Sequence, residues 1–156
     1  MGERALVKSL AKHKLVGIDT SPFIYHLEGD PDYSKLTLRL FEEIEKGGLK
    51  AVTSVLTLME VLVRPKQVGD KQAVEDYRFV LKTFPNLALR PIDESCAERA
   101  SDLRATYGVK PPDALQVGTA LANDATGFVT NDGRLKRIRE LEVMVLDDFV
   151  DGKTQT

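Results

Sequence analysis

Four acidic residues occupy positions from which a fold could bring them together: Asp19, Glu60, Asp113 and Asp132. Asp19 directly follows the apolar run LVGI, and Asp132 follows the apolar run GFVT in the turn TND. Glu60 interrupts the apolar stretch TLMEVLV, and Asp113 follows two prolines at the start of DALQVGTALA. Carboxylates that share one cleft repel each other, and their pKa values rise unless a cation is present. A carboxylate cluster with no His or Cys nearby favours Mg²⁺ or Mn²⁺ over zinc.

Such a metal centre could hydrolyse a phosphodiester. A bound divalent ion lowers the pKa of water, which provides a nucleophile near neutral pH, and a second ion could stabilise the departing oxygen. Short polar residues beside the acids could orient a carboxylate or a water without binding the metal themselves. The candidates for this supporting role are Thr20, Ser21, Thr130 and Asn131.

Each acid taken alone has a simpler interpretation. An aspartate after a strand is usually a cap or a turn residue, which would account for Asp19 and Asp132. Asp113 could interact with the dipole of its helix, and Glu60 could be an exposed helical residue. The joint pattern favours the metal interpretation because all four acids fall at one predicted edge of a sheet.

The elements that must position these acids alternate between strands and helices. Short apolar runs predict strands at 15–18, 49–53, within 86–92, at 127–130 and at 141–146. Apolar spacing predicts helices at 33–46, 55–64, 71–84, 93–107 and 113–123, with Pro65 ending the second, and shorter helices in PFIYHL and GRLKRIRE. This alternation favours a parallel sheet covered on both faces. Ligands of such sheets bind outside the carboxyl ends of the strands. Asp113 reaches that edge if its helix runs antiparallel to the following strand.

Composition narrows the class of protein. The 156 residues suit one domain, and the net charge of −2 excludes a polycation that coats nucleic acid. The single cysteine, Cys96, excludes an internal disulfide and a Cys-rich zinc site, and it suits a reducing compartment such as the cytoplasm. Apolar runs are too short to span a bilayer, so no membrane partner is expected. Residues 1–13 form a basic extension without a secretory apolar segment, which we expect to be an amphipathic lead-in or a partly disordered tail.

Basic residues near the predicted edge are candidates to hold nucleic-acid phosphates around the acids. The alternative is that they form an ordinary solvated rim. The principal candidates are Arg64, Lys110, Arg134 and Arg137, with Lys66, Lys136 and Arg139 nearby.

The segments LVGIDTS, TLMEVLV, PPDALQVGTALA and GFVTND, in this order and spacing, resemble the PIN domain family over roughly residues 14–150. The chain is similar in particular to VapC-like toxins of toxin–antitoxin pairs, many of which dimerise. The resemblance implies an α/β/α sandwich with a parallel sheet and a metal-dependent ribonuclease site. Carried over to this chain, it implies that Asp19, Glu60, Asp113 and Asp132 are catalytic metal ligands, with Thr130 supporting them.

We therefore predict a three-layer α/β/α fold with a mostly parallel five-stranded sheet at 14–150, preceded by the extension 1–13 and followed by a tail at 151–156. The expected function is a Mg²⁺- or Mn²⁺-dependent endoribonuclease, with RNA, a cognate antitoxin and a second copy of the chain as partners. Two alternatives stay open. One is a non-catalytic PIN-fold module that binds RNA or protein, and the other is a phosphatase or DNA nuclease with the same metal chemistry.

Overall fold

The computed structural model describes residues 2–151, so the expected tail at 151–156 lies outside the described residues except for Asp151. The strands are β1 (Leu15–Ile18), β2 (Lys50–Ser54), β3 (Leu87–Arg90), β4 (Gly127–Thr130) and β5 (Glu142–Val145). The helices are α1 (Gly2–Leu10), α2 (Thr20–Glu28), α3 (Ser34–Glu45), α4 (Val55–Gln67), α5 (Lys71–Thr83), α6 (Glu94–Tyr107) and α7 (Pro111–Ala122). Two 3-10 helices follow β4 and β5, at Gly133–Arg137 and Leu146–Phe149.

The strands form one parallel sheet in the order β3-β2-β1-β4-β5. β1 and β4 are neighbours at its centre, and Ile18 pairs with Val129 in their register. The backbone N–H of Asp19 extends this ladder by donating to the carbonyl of Val129 at 2.9 Å. The segments that follow β1 and β4 therefore leave the sheet side by side at one edge.

Two apolar cores cover the two faces of the sheet, which confirms the three-layer α/β/α prediction. One core contains Leu6, Leu40 and Leu81 from the helices α1, α3 and α5. The other contains Leu103 from α6 and Val117 from α7. Successive strand residues point to opposite faces, and because both faces are covered, the strands are mainly apolar rather than alternating, with polar residues toward their ends.

Helix α7 packs unusually closely against its neighbours because it is built from small residues. A Cβ on Gly118 would lie 2.9 Å from the backbone N of Ala100 in α6. A Cβ on Gly17 in β1 would lie 2.5 Å from the Cβ of Ala120. These contacts hold α7 between α6 and the centre of the sheet and so fix where its first turn lies.

The prediction that Pro65 ends its helix was wrong, because α4 continues to Gln67 with Pro65 buried inside it. A proline in a helix removes one hydrogen bond to the carbonyl four residues earlier. Here the lost bond is the one that residue 65 would have donated to the carbonyl of Val61, near the C-terminal end of α4. Pro65 and Leu62 are both buried, and this burial offsets the local penalty.

The N-terminal segment is part of the packed molecule. Residues 2–10 form the helix α1, which matches the amphipathic alternative rather than the disordered one. Leu6 and Leu10 are 0% and 2% exposed and belong to the same core as α3. The backbone N–H of Gly2 also donates to Oδ1 of Asp151 at 2.8 Å. No helix among residues 2–151 is long and apolar enough to cross a membrane.

Candidate active site

An open cleft of about 430 Å³ lies at the carboxyl edge of the sheet, and all four predicted acids line it. Asp19 directly follows β1, and Asp132 comes shortly after β4. Glu60 lies midway along α4, and Asp113 lies in the first turn of α7. Because α7 leads into the parallel strand β4, it begins at the same edge. The structure thus brings the four acids together, while their roles as metal ligands stay a prediction.

Asp19 is the most constrained of these acids. It caps α2 by accepting from the backbone N–H of Thr20 at 2.9 Å, and its other oxygen accepts from the Thr130 hydroxyl at 2.7 Å. The pKa of Asp19 is raised to about 6, chiefly by burial and in smaller part by the nearby carboxylates of Asp113 and Glu60, against the lowering effect of both hydrogen bonds. The structure thus places a desolvated carboxylate where a cation would be stabilising.

Thr130 and Thr20 form hydrogen bonds with three of the acids, while their supporting role in a metal site stays a prediction. The fully buried Thr130 hydroxyl donates to Asp19 and accepts from the backbone N–H of Asp132 at 3.1 Å. The hydroxyl of Thr20 donates to Oε1 of Glu60 at 2.7 Å. Two threonines therefore tie three of the four acids to the ends of β1 and β4.

Asp113 and Asp132 differ in their electrostatic surroundings. Burial raises the pKa of Asp113, and the charge of Asp132 raises it further. Asp132 instead forms a bidentate ion pair with Arg134. Nε of Arg134 donates to Oδ1 of Asp132 at 3.0 Å, and Nη2 donates to Oδ2 at 2.8 Å. That hydrogen bonding lowers the pKa of Asp132. In this arrangement the guanidinium occupies the oxygens that a metal ion would use.

The oxygen atoms that line the cleft suit a hard cation, although their present arrangement does not form a complete coordination sphere. All four acids offer oxygen, and no His or Cys lines the cleft among the described residues. Within residues 2–151, no three His, Cys, Asp or Glu side chains lie close enough to enclose one ion. Side-chain rotation, above all at Asp132, is therefore needed before several carboxylates can share a cation.

A buried polar network lies beneath the cleft, and the sequence interpretation missed it. It consists of Thr20, Thr53, Ser54, Thr57 and Gln116, each at most 7% exposed. Its centre is Gln116, which lies one turn after Asp113 on α7 and also lines the cleft. A signal was present in the sequence, because an amide inside the otherwise apolar DALQVGTALA must find buried partners.

The remaining predicted polar residues have other surroundings. Asn131 donates from Nδ2 to the Tyr25 hydroxyl at 3.0 Å and accepts from the backbone N–H of Asp147 at 2.9 Å, so it braces the loop after β4. Ser21 lines the cleft.

The basic candidates for RNA contact are not all at the cleft. Lys110 is the N-cap residue of α7, and its positive charge acts to lower the pKa values of Asp113 and Asp132. The charge of Arg134 acts on both pKa values in the same direction. Arg64 instead lines a separate depression between α4 and α5. Arg137 is exposed on the 3-10 helix that follows the cleft.

Comparison with known proteins gives one family match. A family model described as the PIN domain matches residues 16–141, a span that includes all four acids. No curated protein shows significant similarity to the chain.

Several solved structures share the fold. A toxin–antitoxin complex from Klebsiella pneumoniae aligns with a TM-score of 0.63 and 23% identity, covering 84% of this chain and 97% of that one. VapBC2 from Rickettsia felis, bound to a DNA fragment from the promoter, aligns with a TM-score of 0.62 and 21% identity, covering 84% and 98%. Mycobacterium tuberculosis VapC20, a toxin that cleaves the sarcin–ricin loop, aligns with a TM-score of 0.62 and 13% identity, covering 81% and 98%. At these identities the similarity concerns the fold.

Proposed function

This chain belongs to the PIN domain family, and on that premise we propose that it is a Mg²⁺- or Mn²⁺-dependent endoribonuclease. The observation that carries the proposal is the convergence of Asp19, Glu60, Asp113 and Asp132 from four separate elements on one open cleft. A fold has no structural need to gather four carboxylates at one edge, since their repulsion costs stability unless a cation is bound.

Asp19, Asp113, Asp132 and Glu60 would hold the metal, with Glu60 in contact directly or through water. A bound divalent ion would supply a water of lowered pKa and would offset charge on the phosphate. The chain's own residues orient the acids: Thr130 holds Asp19, and Thr20 holds Glu60. If Asp132 held the metal, its ion pair with Arg134 would be lost, and Arg134 would be available to bind a substrate phosphate beside the cleft.

RNA is the substrate we propose, with cleavage leaving a 5′-phosphate and a 3′-hydroxyl. Lys110 and Arg134 supply positive charge next to the acids, which suits a polyanion. The openness of the cleft to solvent suits an extended chain better than a small enclosed metabolite. The structural similarity to VapC20, a toxin that cleaves the sarcin–ricin loop, supports this proposal.

The test is cleavage of RNA by the purified protein with Mn²⁺, with Mg²⁺ and with a chelator. We expect metal-dependent cleavage that falls at least about a hundredfold in Asp19→Asn and in Asp113→Asn. The matched control is Asp124→Asn, which makes the same charge change at an exposed site with a φ of 68° that Asn also adopts. Cleavage that survives both cleft substitutions would reject the proposal. Parallel assays with single-stranded DNA and a small phosphate ester would reveal a DNA nuclease or a phosphatase.

We further propose that the chain is the toxin of a toxin–antitoxin pair. The support is the fold shared with the toxins in the Rickettsia felis and Klebsiella pneumoniae complexes. Expression of the protein in a bacterial host should arrest growth, and Asp19→Asn should not. An antitoxin should bind the purified chain and inhibit RNA cleavage. Normal growth with the active protein would argue against the toxin role while leaving the nuclease activity to the cleavage assay.

A homodimer is the assembly we propose for the free chain. On α4 the exposed apolar residues Val55, Met59 and Val63 recur at spacing four and form one stripe, with Met59 56% exposed. Sedimentation of the purified protein should give the mass of two chains, and Met59→Glu should give that of one. A wild-type monomer at all concentrations tested would contradict the dimer.

A further inference from the structure

The buried amide of Gln116 makes three hydrogen bonds that leave little freedom in its orientation. Its Nε2 donates to the hydroxyls of Thr20 at 3.1 Å and Thr57 at 2.9 Å. Its Oε1 accepts from the Ser54 hydroxyl at 2.6 Å. Both amide protons and the carbonyl are thus used within a site where Gln116 is only 4% exposed. No buried side-chain N or O among the described residues lacks a partner, so the network is complete.

Counting protons determines the direction of each hydroxyl. Thr53 donates to the carbonyl of Ile18 at 2.8 Å, so in its 2.7 Å contact with Thr57 the proton comes from Thr57. Thr57 then has no proton left for Gln116 and must accept from it. Thr20 likewise accepts from Gln116, and its single proton goes to Glu60 at 2.7 Å.

The opposite orientation of the amide is unfavourable. With the Gln116 oxygen facing Thr20 and Thr57, each hydroxyl would have to donate to it. Thr20 would then direct a lone pair at the carboxylate of Glu60. Thr57 would have no proton left to donate to the hydroxyl of Thr53. Two hydrogen bonds would become repulsive contacts in a buried site. The carbonyl therefore stays on the side of Ser54.

We propose that Gln116 is a positioning residue for Glu60 that acts through the hydroxyl of Thr20. It keeps the Thr20 proton directed at Oε1, which holds the carboxylate of Glu60 in one orientation at the wall of the cleft. This inference rests on the proposed function for its consequence, since an oriented Glu60 matters only if it serves the metal. A second branch runs through Thr57 to Thr53, ends on the backbone carbonyl of Ile18 and does not touch Glu60. The hydroxyls of Thr20 and Thr57 also lie 3.3 Å apart, but the proton of each is already donated elsewhere, so no hydrogen bond joins the two branches there.

The two branches allow a matched test. Thr20→Val removes the branch that reaches Glu60, and Gln116→Met removes the donor of both branches, while Thr57→Val removes only the other branch at the same depth in the core. Thr20→Ser keeps the hydroxyl. Thermal denaturation of every variant shows which of them fold. Three-bond NMR couplings of the Glu60 side chain, recorded without metal, report whether it occupies one rotamer or several.

We expect the Glu60 couplings to become averaged in Gln116→Met and Thr20→Val and to stay as in wild type in Thr57→Val and Thr20→Ser. Calorimetry with Mn²⁺ alone should give affinity about tenfold weaker in the first two variants and unchanged in the others. The double variant Gln116→Met/Thr20→Val should bind Mn²⁺ no more weakly than Thr20→Val, because both changes break the same chain.

A single Glu60 rotamer in Gln116→Met would overturn the proposal, as would equal effects of Gln116→Met and Thr57→Val on the couplings. Additive losses of Mn²⁺ affinity in the double variant would show that Gln116 does not act through Thr20, and would also overturn it. If wild-type protein binds no Mn²⁺ and cuts no RNA, the proposed function fails, and the metal-free couplings still decide whether Gln116 orients Glu60.

Discussion

Among single residues, Asp19 lowers the stability of the metal-free protein and is also a proposed metal ligand. Burial raises its pKa to about 6 from 3.8, so the folded protein holds a proton there at pH values where the unfolded chain has lost it. Stability therefore falls as pH rises between those two values, and the full cost is present above them. A side chain that costs stability at neutral pH indicates a requirement other than folding.

Asp19→Asn should accordingly stabilise the metal-free protein. At about pH 7 we expect a gain of about 1–3 kcal/mol in the free energy of unfolding, since one pKa unit corresponds to about 1.4 kcal/mol. The gain should shrink as pH falls from about 6 and vanish below 3.8. Urea denaturation of both proteins across this range, with chelator present, measures the difference. A difference that does not change with pH would contradict the assignment.

Arg134 competes with the proposed metal, because its guanidinium donates hydrogen bonds to both carboxylate oxygens of Asp132. Arg134→Gln should strengthen Mn²⁺ binding about two- to fivefold, since an exposed ion pair is weak and its loss frees the oxygens of Asp132. The same variant should bind RNA more weakly. Arg137→Gln, which removes an equal charge three residues later, is the control for calorimetry with Mn²⁺. Equal effects of both substitutions would indicate general electrostatics rather than competition for Asp132.

At the scale of elements, α7 connects packing with the cleft. Its glycine and alanines allow backbone contact with α6 and β1, and this contact sets the position of Asp113 and Gln116 in its first two turns. Side chains with more volume would move the helix outward. The small residues are therefore part of how the cleft is positioned.

Gly118→Ala should lower the free energy of unfolding by about 1–3 kcal/mol, because the added methyl meets α6 backbone at 2.9 Å. Helix propensity alone would favour the substitution by about 1 kcal/mol, so the sign of the change separates packing from propensity. Gly48→Ala is the control, since a Cβ there meets nothing within 4 Å. Chemical denaturation measures both, and a stabilised Gly118→Ala protein would show that α6 and α7 separate without cost.

At the scale of the whole molecule, α1 shares one core with α3 and with the 3-10 helix that follows β5. Leu6 is fully buried there, although it precedes the first strand. The two ends of the described chain, Gly2 and Asp151, are therefore in direct contact.

Leu6→Ala should cost about 2–5 kcal/mol, the usual range for a buried leucine, and unfolding should remain a single transition. Leu38→Ala on α3, where the side chain is 49% exposed, should cost far less. Circular dichroism during urea denaturation reports both. An early separate transition in Leu6→Ala would show that α1 is an independent appendage.

Local pattern was sufficient for much of the fold. The strands at 15–18 and 127–130 were predicted with the bounds they have, because short apolar runs between turn residues are a local signal. The parallel arrangement followed from alternation, and the four acids were recognised together because strand ends of a parallel sheet share an edge. Their chemical roles stay a prediction.

Other features depend on contacts between residues far apart in the chain. The ion pair at Asp132, the docking of α1, the burial of Pro65 and the proton order from Gln116 to Glu60 are set by which surfaces meet in the folded protein. Propensity and periodicity describe neighbours along the chain, whereas hydrogen-bond direction and burial are properties of neighbours in space. For this reason the acids and the threonines beside them could be named from the sequence, whereas the acid that each threonine contacts and the place of Gln116 emerged only from the packed structure.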